Sequence, residues 1–298
     1  MGIRVFIYLY VLSKQSATDM TTYNELVKKW SQQLEIYDPS EAESLIHWLL
    51  EHHLGLRRVD MMHFLEEKDL PEALHRDFER LKRGEPIQYI LGKAPFYGRE
   101  FLVNSATLIP RNETEELVHL ILKENPQQGL RILDIGTGTG CIPISLSLEM
   151  KSPEVFGLDI SQEALEVARQ NAKLLKAEVK FLQVDILREK IPLENLDILI
   201  SNPPYIPEKG KTEMHQNVLD FEPGLALFVP DEDPLLFYRR IAALGREHLK
   251  KGGKLYFEIH EDFGTETVEL LQSMAYQKIR LIQDLNGKNR MVAAVWEG

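Results

Sequence analysis

Residues 131–140 read Arg-Ile-Leu-Asp-Ile and then Gly-Thr-Gly-Thr-Gly, and no other stretch of the chain narrows the possible folds as far. The first half has the length and apolar content of a buried strand. Gly136, Gly138 and Gly140 then let the backbone turn tightly and let a ligand approach it closely at a helix start. An apolar helix follows from Cys141 to Met150, and a second strand, Val155-Phe156-Gly157-Leu158, ends on Asp159. The spacing predicts a strand–helix–strand unit of nucleoside-binding type, with Asp159 placed to accept hydrogen bonds from a ribose diol. The turn lacks the Gly-x-x-x-x-Gly-Lys-Ser/Thr pattern of a triphosphate cradle and the third-glycine spacing of the dinucleotide fingerprint. A third strand, Val179 to Val184, ends on Asp185, which either reaches an adenine amine or belongs to an ordinary strand-end turn.

A further apolar run, Leu196-Asp197-Ile198-Leu199-Ile200-Ser201, reads as a buried parallel strand and stops on Asn202-Pro203-Pro204-Tyr205. Open α/β sheets place chemistry at such strand ends. Two successive prolines remove two N–H donors and fix both φ angles, so the carbonyls of Asn202 and Pro203 become rigid acceptors beside the Asn202 side-chain oxygen. Tyr205 adds an aromatic face. Acceptors beside a flat wall suit a planar substrate presenting an NH2 group, either a carboxamide or the exocyclic amine of a base. Taken alone, the four residues are equally a Pro-rich turn.

Taken together, these features resemble the class I S-adenosylmethionine-dependent methyltransferases with an Asn-Pro-Pro-Tyr turn. More narrowly, the chain is similar to the release-factor glutamine methyltransferases of the HemK/PrmC type. The likeness extends to Pro86-Ile87-Gln88-Tyr89-Ile90-Leu91-Gly92, Phe96-Tyr97-Gly98, Leu108 to Glu115 and Phe221-Glu222-Pro223, and so covers roughly residues 40 to 298. Two positions depart from the family pattern. Asn112 stands in place of a proline, where with Glu115 it forms an Asn-x-x-Glu capping pattern. Ile186 stands where an aromatic residue often follows the acid, which leaves open how it packs on adenine.

The resemblance implies an α/β fold, a Rossmann-like domain with a mostly parallel seven-stranded sheet and a terminal antiparallel hairpin, joined to a small N-terminal helical bundle. It implies S-adenosylmethionine as cofactor, held by Gly136, Thr137, Gly138, Thr139, Gly140, Asp159, Asp185, Ile186 and Asn202. The implied substrate is a peptide chain release factor, methylated on the side-chain amide of its Gly-Gly-Gln glutamine. Asn202, Pro203 and Tyr205 take the catalytic roles, and Asn202 to Tyr205 line the substrate. Asp134 either orients the glycine turn or is a buried cap. An amide nitrogen is a poor nucleophile because its lone pair is delocalised into the carbonyl. Acceptors on its two hydrogens would stabilise the positive charge that develops as it attacks.

The rest of the chain is read as follows. Residues 1–83 form the helical, partner-binding domain, with 1–19 a possible upstream extension because Met20 precedes the first helical periodicity. Leu45, Trp48, Leu49 and His52 recur at helical spacing, as do Leu74, Phe78 and Leu81. Asp38-Pro39 starts one helix and Gly55 ends it. The histidines His47, His52 and His53 fall on different faces, and no metal site is expected. Residues 84–110 form a connector with a short hairpin near Phe96 to Ser105, and 111–298 the catalytic domain. A helix capped by Asp233-Pro234 is expected to run to Lys251 and stop at Gly252-Gly253, before a strand from Lys254 to Ile259. Glu266 to Met274 is helical, and Ile279 to Ile282 and Val292 to Trp296 flank a hairpin turn at Asn286-Gly287.

At −11 the formal charge argues against a broad nucleic-acid surface. Between Arg57 and Arg99 nine Lys or Arg residues are interleaved with eight acids, leaving no basic stripe. The lone cysteine, Cys141, excludes an intramolecular disulfide and suits a reducing cytoplasm. The apolar stretch from Ile3 to Leu12 is too short to span a bilayer and lacks a good cleavage site after it. A cytoplasmic monomer is expected, with no direct nucleic-acid or membrane partner. The alternative is a nucleic-acid amino methyltransferase acting on adenine or guanine, which would use the same turn but should carry a basic recognition domain.

Overall fold

The computed structural model describes residues 20–57, 59, 64–66 and 69–298. The expected extension at 1–19 lies outside them, as do Arg58, Asp60, Glu67 and Lys68 of the charge balance. The chain forms two compact units that divide between Leu91 and Gly92, inside the stretch read as a connector.

In the first unit, strand β1 (Met20–Thr22) leads into helix α1 (Tyr23–Ser31), followed by α2 (Pro39–Leu54), strand β2 (Phe64–Glu66), α3 (Glu72–Lys82) and α4 (Ile87–Leu91). β1 and β2 pair antiparallel. Thr22 and Glu25 close a capping box on α1, with the Glu25 N–H donating to Oγ1 at 3.2 Å and the Thr22 N–H donating to the Glu25 carboxylate at 2.8 Å. Pro39 opens α2, and Gly55 ends it at φ +68°. The core face of α2 is Ala42, Ile46, Leu49 and Leu50, with Leu45 packed against it; of the face read off Leu45, Trp48, Leu49 and His52, Trp48 is exposed. Trp30 stacks on Phe78 with centroids 4.2 Å apart, and Tyr23, Leu26, Leu74 and Leu81 complete the core. The histidines do structural work: His47 Nδ1 lies 2.6 Å from the Tyr23 hydroxyl, and His53 Nε2 lies 3.0 Å from the buried Asp77.

The second unit opens with strands β3 (Lys93–Phe96) and β4 (Arg99–Leu102), then α5 (Asn112–Glu124), β5 (Arg131–Ile135), α6 (Cys141–Glu149), β6 (Glu154–Asp159), α7 (Gln162–Leu175), β7 (Val179–Gln183) and β8 (Leu196–Ser201). There follow β9 (Ile206–Pro207), α8 (Gln216–Phe221), β10 (Phe228–Val229), α9 (Leu236–His248), β11 (Leu249–Glu258), α10 (Gly264–Ser273), β12 (Gln277–Gln283) and β13 (Asn289–Trp296). Seven strands make one sheet in the order β12-β13-β11-β8-β5-β6-β7, parallel except for β13, which is antiparallel to both neighbours. Parallel strands are buried on both faces, which is why β5 and β8 are almost wholly apolar. One core lies on each side of the sheet, one around Leu199, Tyr238 and Phe257, the other around Ile132, Ile144 and Ile198. Cys141 belongs to the second, and burial pushes its thiol up to about 12. No helix among the described residues is long and apolar enough to cross a membrane, and no trio of His, Cys, Asp or Glu there could hold a metal ion.

The hairpin expected near Phe96 turns at Tyr97-Gly98, both at positive φ, with the pairing running from Lys93 with Leu102 to Phe96 with Arg99. Two local expectations are corrected. Asn112 does not cap α5: Arg111 holds the cap position, and the Glu115 carboxylate accepts from the Tyr97 N–H at 2.8 Å instead. The helix expected from Asp233 to Lys251 is shorter at both ends. Asp233 pairs with Arg239 rather than capping, and from Leu249 the chain is already strand, with Gly252 (φ +81°) in an irregularity of β11 where the register against β8 shifts.

Helix α9 contains Gly245 at a close crossing: a Cβ there would fall well inside contact distance of Tyr276 Oη, which donates to the Ala242 carbonyl at 2.8 Å. Gly→Ala in a free helix gains about 1 kcal/mol. Forcing a methyl into a packed core costs about 1–3 kcal/mol. Gly245→Ala should therefore lower the melting temperature, and the loss should shrink in the Tyr276→Phe background. An increase in melting temperature for the single variant would show that Tyr276 yields freely.

Candidate active site

The strand order brings the two sequence motifs side by side. From β5 the chain builds outward through β6 to β7 and then returns to β8 on the other flank of β5, so the connections diverge between β5 and β8. Open sheets bind ligands at that switch point. Ile135 is opposite Ser201, and the Ser201 hydroxyl donates to the Ile135 carbonyl at 2.7 Å, so Gly136 and Asn202 leave adjacent strand ends together.

Gly136, Gly138 and Gly140 have φ of +74°, +52° and +78°. The N–H groups of Gly136 and Thr137 donate to the Leu158 carbonyl at 2.8 and 2.9 Å, that of Gly138 to Asp159 Oδ2 at 2.9 Å, and that of Gly140 to the Thr137 carbonyl at 2.8 Å. Most donors of the turn are thus consumed internally, which suits a nucleoside lying over it better than a phosphate. A Cβ on Gly136 or Gly138 would meet nothing within 4 Å, so the space above the turn is open. At Gly140 it would press on Ile144 at 3.0 Å and Ala168 at 3.2 Å.

Asp159 accepts one backbone N–H on each oxygen, from Ser161 at 3.0 Å and from Gly138, and each oxygen keeps a further lone pair. Burial pushes its pKa up, opposed by these N–H bonds. Asp134 is buried within β5, and neither carboxylate oxygen has a hydrogen-bond partner; the Thr137 hydroxyl is likewise unpartnered. Burial raises the Asp134 pKa from 3.8 to about 7, opposed by the nearby Thr137 hydroxyl, with the Asp159 charge adding to the rise. Asp185 is engaged in its own turn, accepting from the Leu187 N–H at 2.9 Å with Arg188 Nε 3.5 Å away. Ile186 is buried in the core with Val184, Ile191 and Leu193, and its carbonyl accepts from Arg240. An open glycine floor, spare acceptors on Asp159 and an orphaned carboxylate at Asp134 fit a cofactor that carries a ribose diol and cationic groups.

On the other strand end, Asn202 Nδ2 donates to Thr114 Oγ1 at 3.3 Å, which turns Oδ1 the other way. The Thr114 hydroxyl donates in turn to Glu258 Oε2 at 2.6 Å. Pro203 is buried, and Pro204 and Tyr205 are half-buried. The Tyr205 ring meets His260 edge-on at 5.7 Å, and burial pushes its hydroxyl well up. Thr114, Glu258 and Glu222 were not singled out by sequence as site residues. Glu222 is buried and accepts from Arg111 at 2.6 Å and the Ile109 N–H at 3.3 Å, tying the segment that follows the Asn turn to the start of α5. A signal existed for each: Glu222 and Thr114 sit in the family-like stretches, and Glu258 is an acid ending an apolar strand.

Residues 126–297 match the family described as Methyltransferase domain, and residues 25–92 match the PrmC N-terminal domain. A release factor glutamine methyltransferase of Bacteroides thetaiotaomicron is 49% identical over 267 residues, which are 87% of this chain and 95% of that protein. The chain belongs to the release factor glutamine methyltransferases. The Flavobacterium psychrophilum protein of the same name is 45% identical over 86% of this chain and 93% of its own length. Among solved structures, a methyltransferase from Pyrococcus furiosus shares the fold, with a TM-score of 0.50 and 17% identity over 74% of this chain and 97% of that one. This methyltransferase is an S-adenosylmethionine-dependent enzyme.

The orphaned carboxylate gives a test with a defined sign. A folded-state pKa of about 7 against the usual 3.8 means that Asp134 contributes stability when neutral, at low pH, and that this is lost as pH rises through about 7. Without cofactor, the melting temperature of Asp134→Asn minus that of the parent should grow between about pH 4 and 7 and level off above. A flat difference would place Asp134 in a solvated or paired state.

Proposed function

We propose that this methyltransferase alkylates the side-chain amide nitrogen of the glutamine in the Gly-Gly-Gln motif of a peptide chain release factor, and that Asn202 holds that amide during transfer. The observation that carries the reading is the direction of the Asn202 amide: its NH2 is committed to Thr114, so Oδ1 remains to accept a hydrogen from an incoming NH2 group. The relatives' name, at 49% identity over most of the chain, supports a glutamine amide as that group. The Pro203 carbonyl accepts the second hydrogen, and Tyr205 covers the amide plane.

When bound, S-adenosylmethionine supplies an electrophilic methyl group on a sulfonium. Gly136, Thr137, Gly138, Thr139 and Gly140 would form the floor beneath it, and Asp159 would accept from its ribose hydroxyls. Asp134, with two unpartnered oxygens, offers a carboxylate to its cationic groups. Asp185 and Ile186 are assigned to the adenine end, Ile186 contributing its backbone because its side chain is packed in the core. Asn202 and Pro203 hold the two amide hydrogens so that charge developing on nitrogen is met by two acceptors. They also fix the nitrogen in line with the methyl group. The amide nitrogen, once methylated, would lose a proton that has become strongly acidic, so these residues need supply no prior general base.

The helical unit, which matches a domain described by the same family, is assigned to holding the release factor, and the unit from Gly92 to the chemistry. A release factor as substrate supports work in the cytoplasm. The interleaving of acids with bases between Arg57 and Arg99, which leaves no basic stripe, supports protein rather than nucleic acid as the partner.

Four measurements test this. Incubated with S-adenosylmethionine and a purified release factor, the enzyme should add one methyl group to the loop glutamine, read by intact and peptide mass. DNA, tRNA and rRNA should stay unlabelled at low salt. Labelling of a factor whose loop glutamine is replaced would overturn the reading. Asn202→Ala should lower turnover about a hundredfold or more while leaving cofactor affinity near normal. Asp159→Ala should instead weaken cofactor binding by roughly 1.5–3 kcal/mol per lost charge-assisted bond, measured by calorimetry.

A further inference from the structure

Asn202 acts through one end of an amide whose two ends are nearly the same shape. Packing alone does not choose between them. If the group were turned by half a rotation, NH2 would face the substrate NH2, donor against donor, and the stabilisation of developing charge would be lost. Something must hold the orientation.

Two elements converge on Asn202 to do so. In the parallel pair of β8 and β11, Phe257 is opposite Ser201, so Glu258 stands at the next position, beside Asn202. The first turn of α5 brings in Thr114. Thr114 and Glu258 are both buried, and the contacts run Asn202 Nδ2 to Thr114 Oγ1 at 3.3 Å and Thr114 Oγ1 to Glu258 Oε2 at 2.6 Å. A hydroxyl has one hydrogen. With that hydrogen given to the Glu258 carboxylate, which can only accept, Thr114 Oγ1 has nothing left to donate and can only accept from Asn202. We propose that Thr114 and Glu258 are a positioning pair that sets the direction of the Asn202 amide and so keeps Oδ1 turned toward the substrate. This rests on the reading of Asn202 as the amide clamp.

The pair is sensitive to protonation for the same reason. A protonated Glu258 can donate to Thr114, whose hydrogen is then free to satisfy Asn202 Oδ1, and the choice of orientation is relaxed. Burial raises the Glu258 pKa from 4.5 to about 7, the Thr114 bond opposing it. The charged groups facing it are Arg290 on β13, itself paired with Asp284 at 3.2 Å, and Arg111 and Glu113 at the start of α5. Tyr205 and Tyr238 lie close by, the Tyr238 hydroxyl donating to the Glu258 carbonyl at 3.2 Å.

The test compares full-length enzyme with Thr114→Val, Thr114→Ser, Asn202→Ala and the Thr114→Val/Asn202→Ala double variant, using a purified release factor and S-adenosylmethionine. Thr114→Val should lower kcat about tenfold or more with KM and cofactor affinity little changed, because only transition-state contacts are lost. Thr114→Ser, which restores the hydroxyl, should recover most of the rate, and the double variant should be little worse than Asn202→Ala alone. In the parent, kcat should fall on the acid side of about pH 7, and Glu258→Gln should flatten that limb. Normal kcat in Thr114→Val, a Ser variant as slow as the Val variant, or additive losses in the double variant would each overturn the proposal. If Asn202→Ala itself turns over normally, the clamp reading falls; if it is inactive while Thr114→Val is normal, only the positioning pair falls.

Discussion

The parallel pairing of β5 with β8 is the constraint on which the site depends. Asp134 aside, neither strand carries a side chain assigned to the site, yet their register places a glycine turn and an amide side chain one residue beyond the sheet on neighbouring strands. A slip of one residue in this pairing would invert every side chain of β8 and bury Asn202's neighbours on the wrong face. The pairing is over-determined by Ile132, Leu133, Ile198 and Leu199, which fill cores on both sides, and by the Ser201 hydroxyl bond to the Ile135 carbonyl. Catalytic geometry here is a by-product of packing that has no tolerance for translation.

Around that point the molecule accepts buried polar groups that a purely structural core would exclude. Asp134 has no partner, and Glu258 has one hydroxyl and the field of Arg290. Both are pushed toward neutrality by burial, the usual sign of a site arranged for something other than stability. Glu222, equally buried, is different in kind: it is met by Arg111 and a backbone N–H, and it serves to close the chain after the Asn turn. Two of the three acids thus sit where ligands or catalytic groups come, and the third locks a loop.

The fold was legible because its signals are local. A short apolar strand running into glycine, repeated with acids at strand ends, leaves few alternatives to a parallel sheet, and position alone singled out Gly136, Gly138, Asp159 and Asn202, which the sheet gathers at adjoining strand ends. What escaped was everything decided across the sheet. Thr114 lies far in sequence from Glu258 and Asn202, and no spacing rule joins them. Ile186 reads as a surface contact to a ligand but packs inward, because the core next to Val184 needed an apolar side chain more than the loop did. Gly252-Gly253 reads as a helix stop, yet those glycines serve a strand irregularity. Glycine pairs mark a change of backbone direction without saying between which elements.

The glycine turn spends its own N–H groups on Leu158, Asp159 and Thr137. A nucleotide such as ATP shares adenine and ribose with S-adenosylmethionine and differs by a chain of negative charge. Nucleotide-binding loops welcome that chain with unpaired amides. This turn has few to offer, and the Asp159 carboxylate bonded to it would repel an anion. Discrimination between the two adenosine compounds therefore requires no dedicated gate, because the hydrogen bonds that hold the loop in shape have already removed what a phosphate would bind.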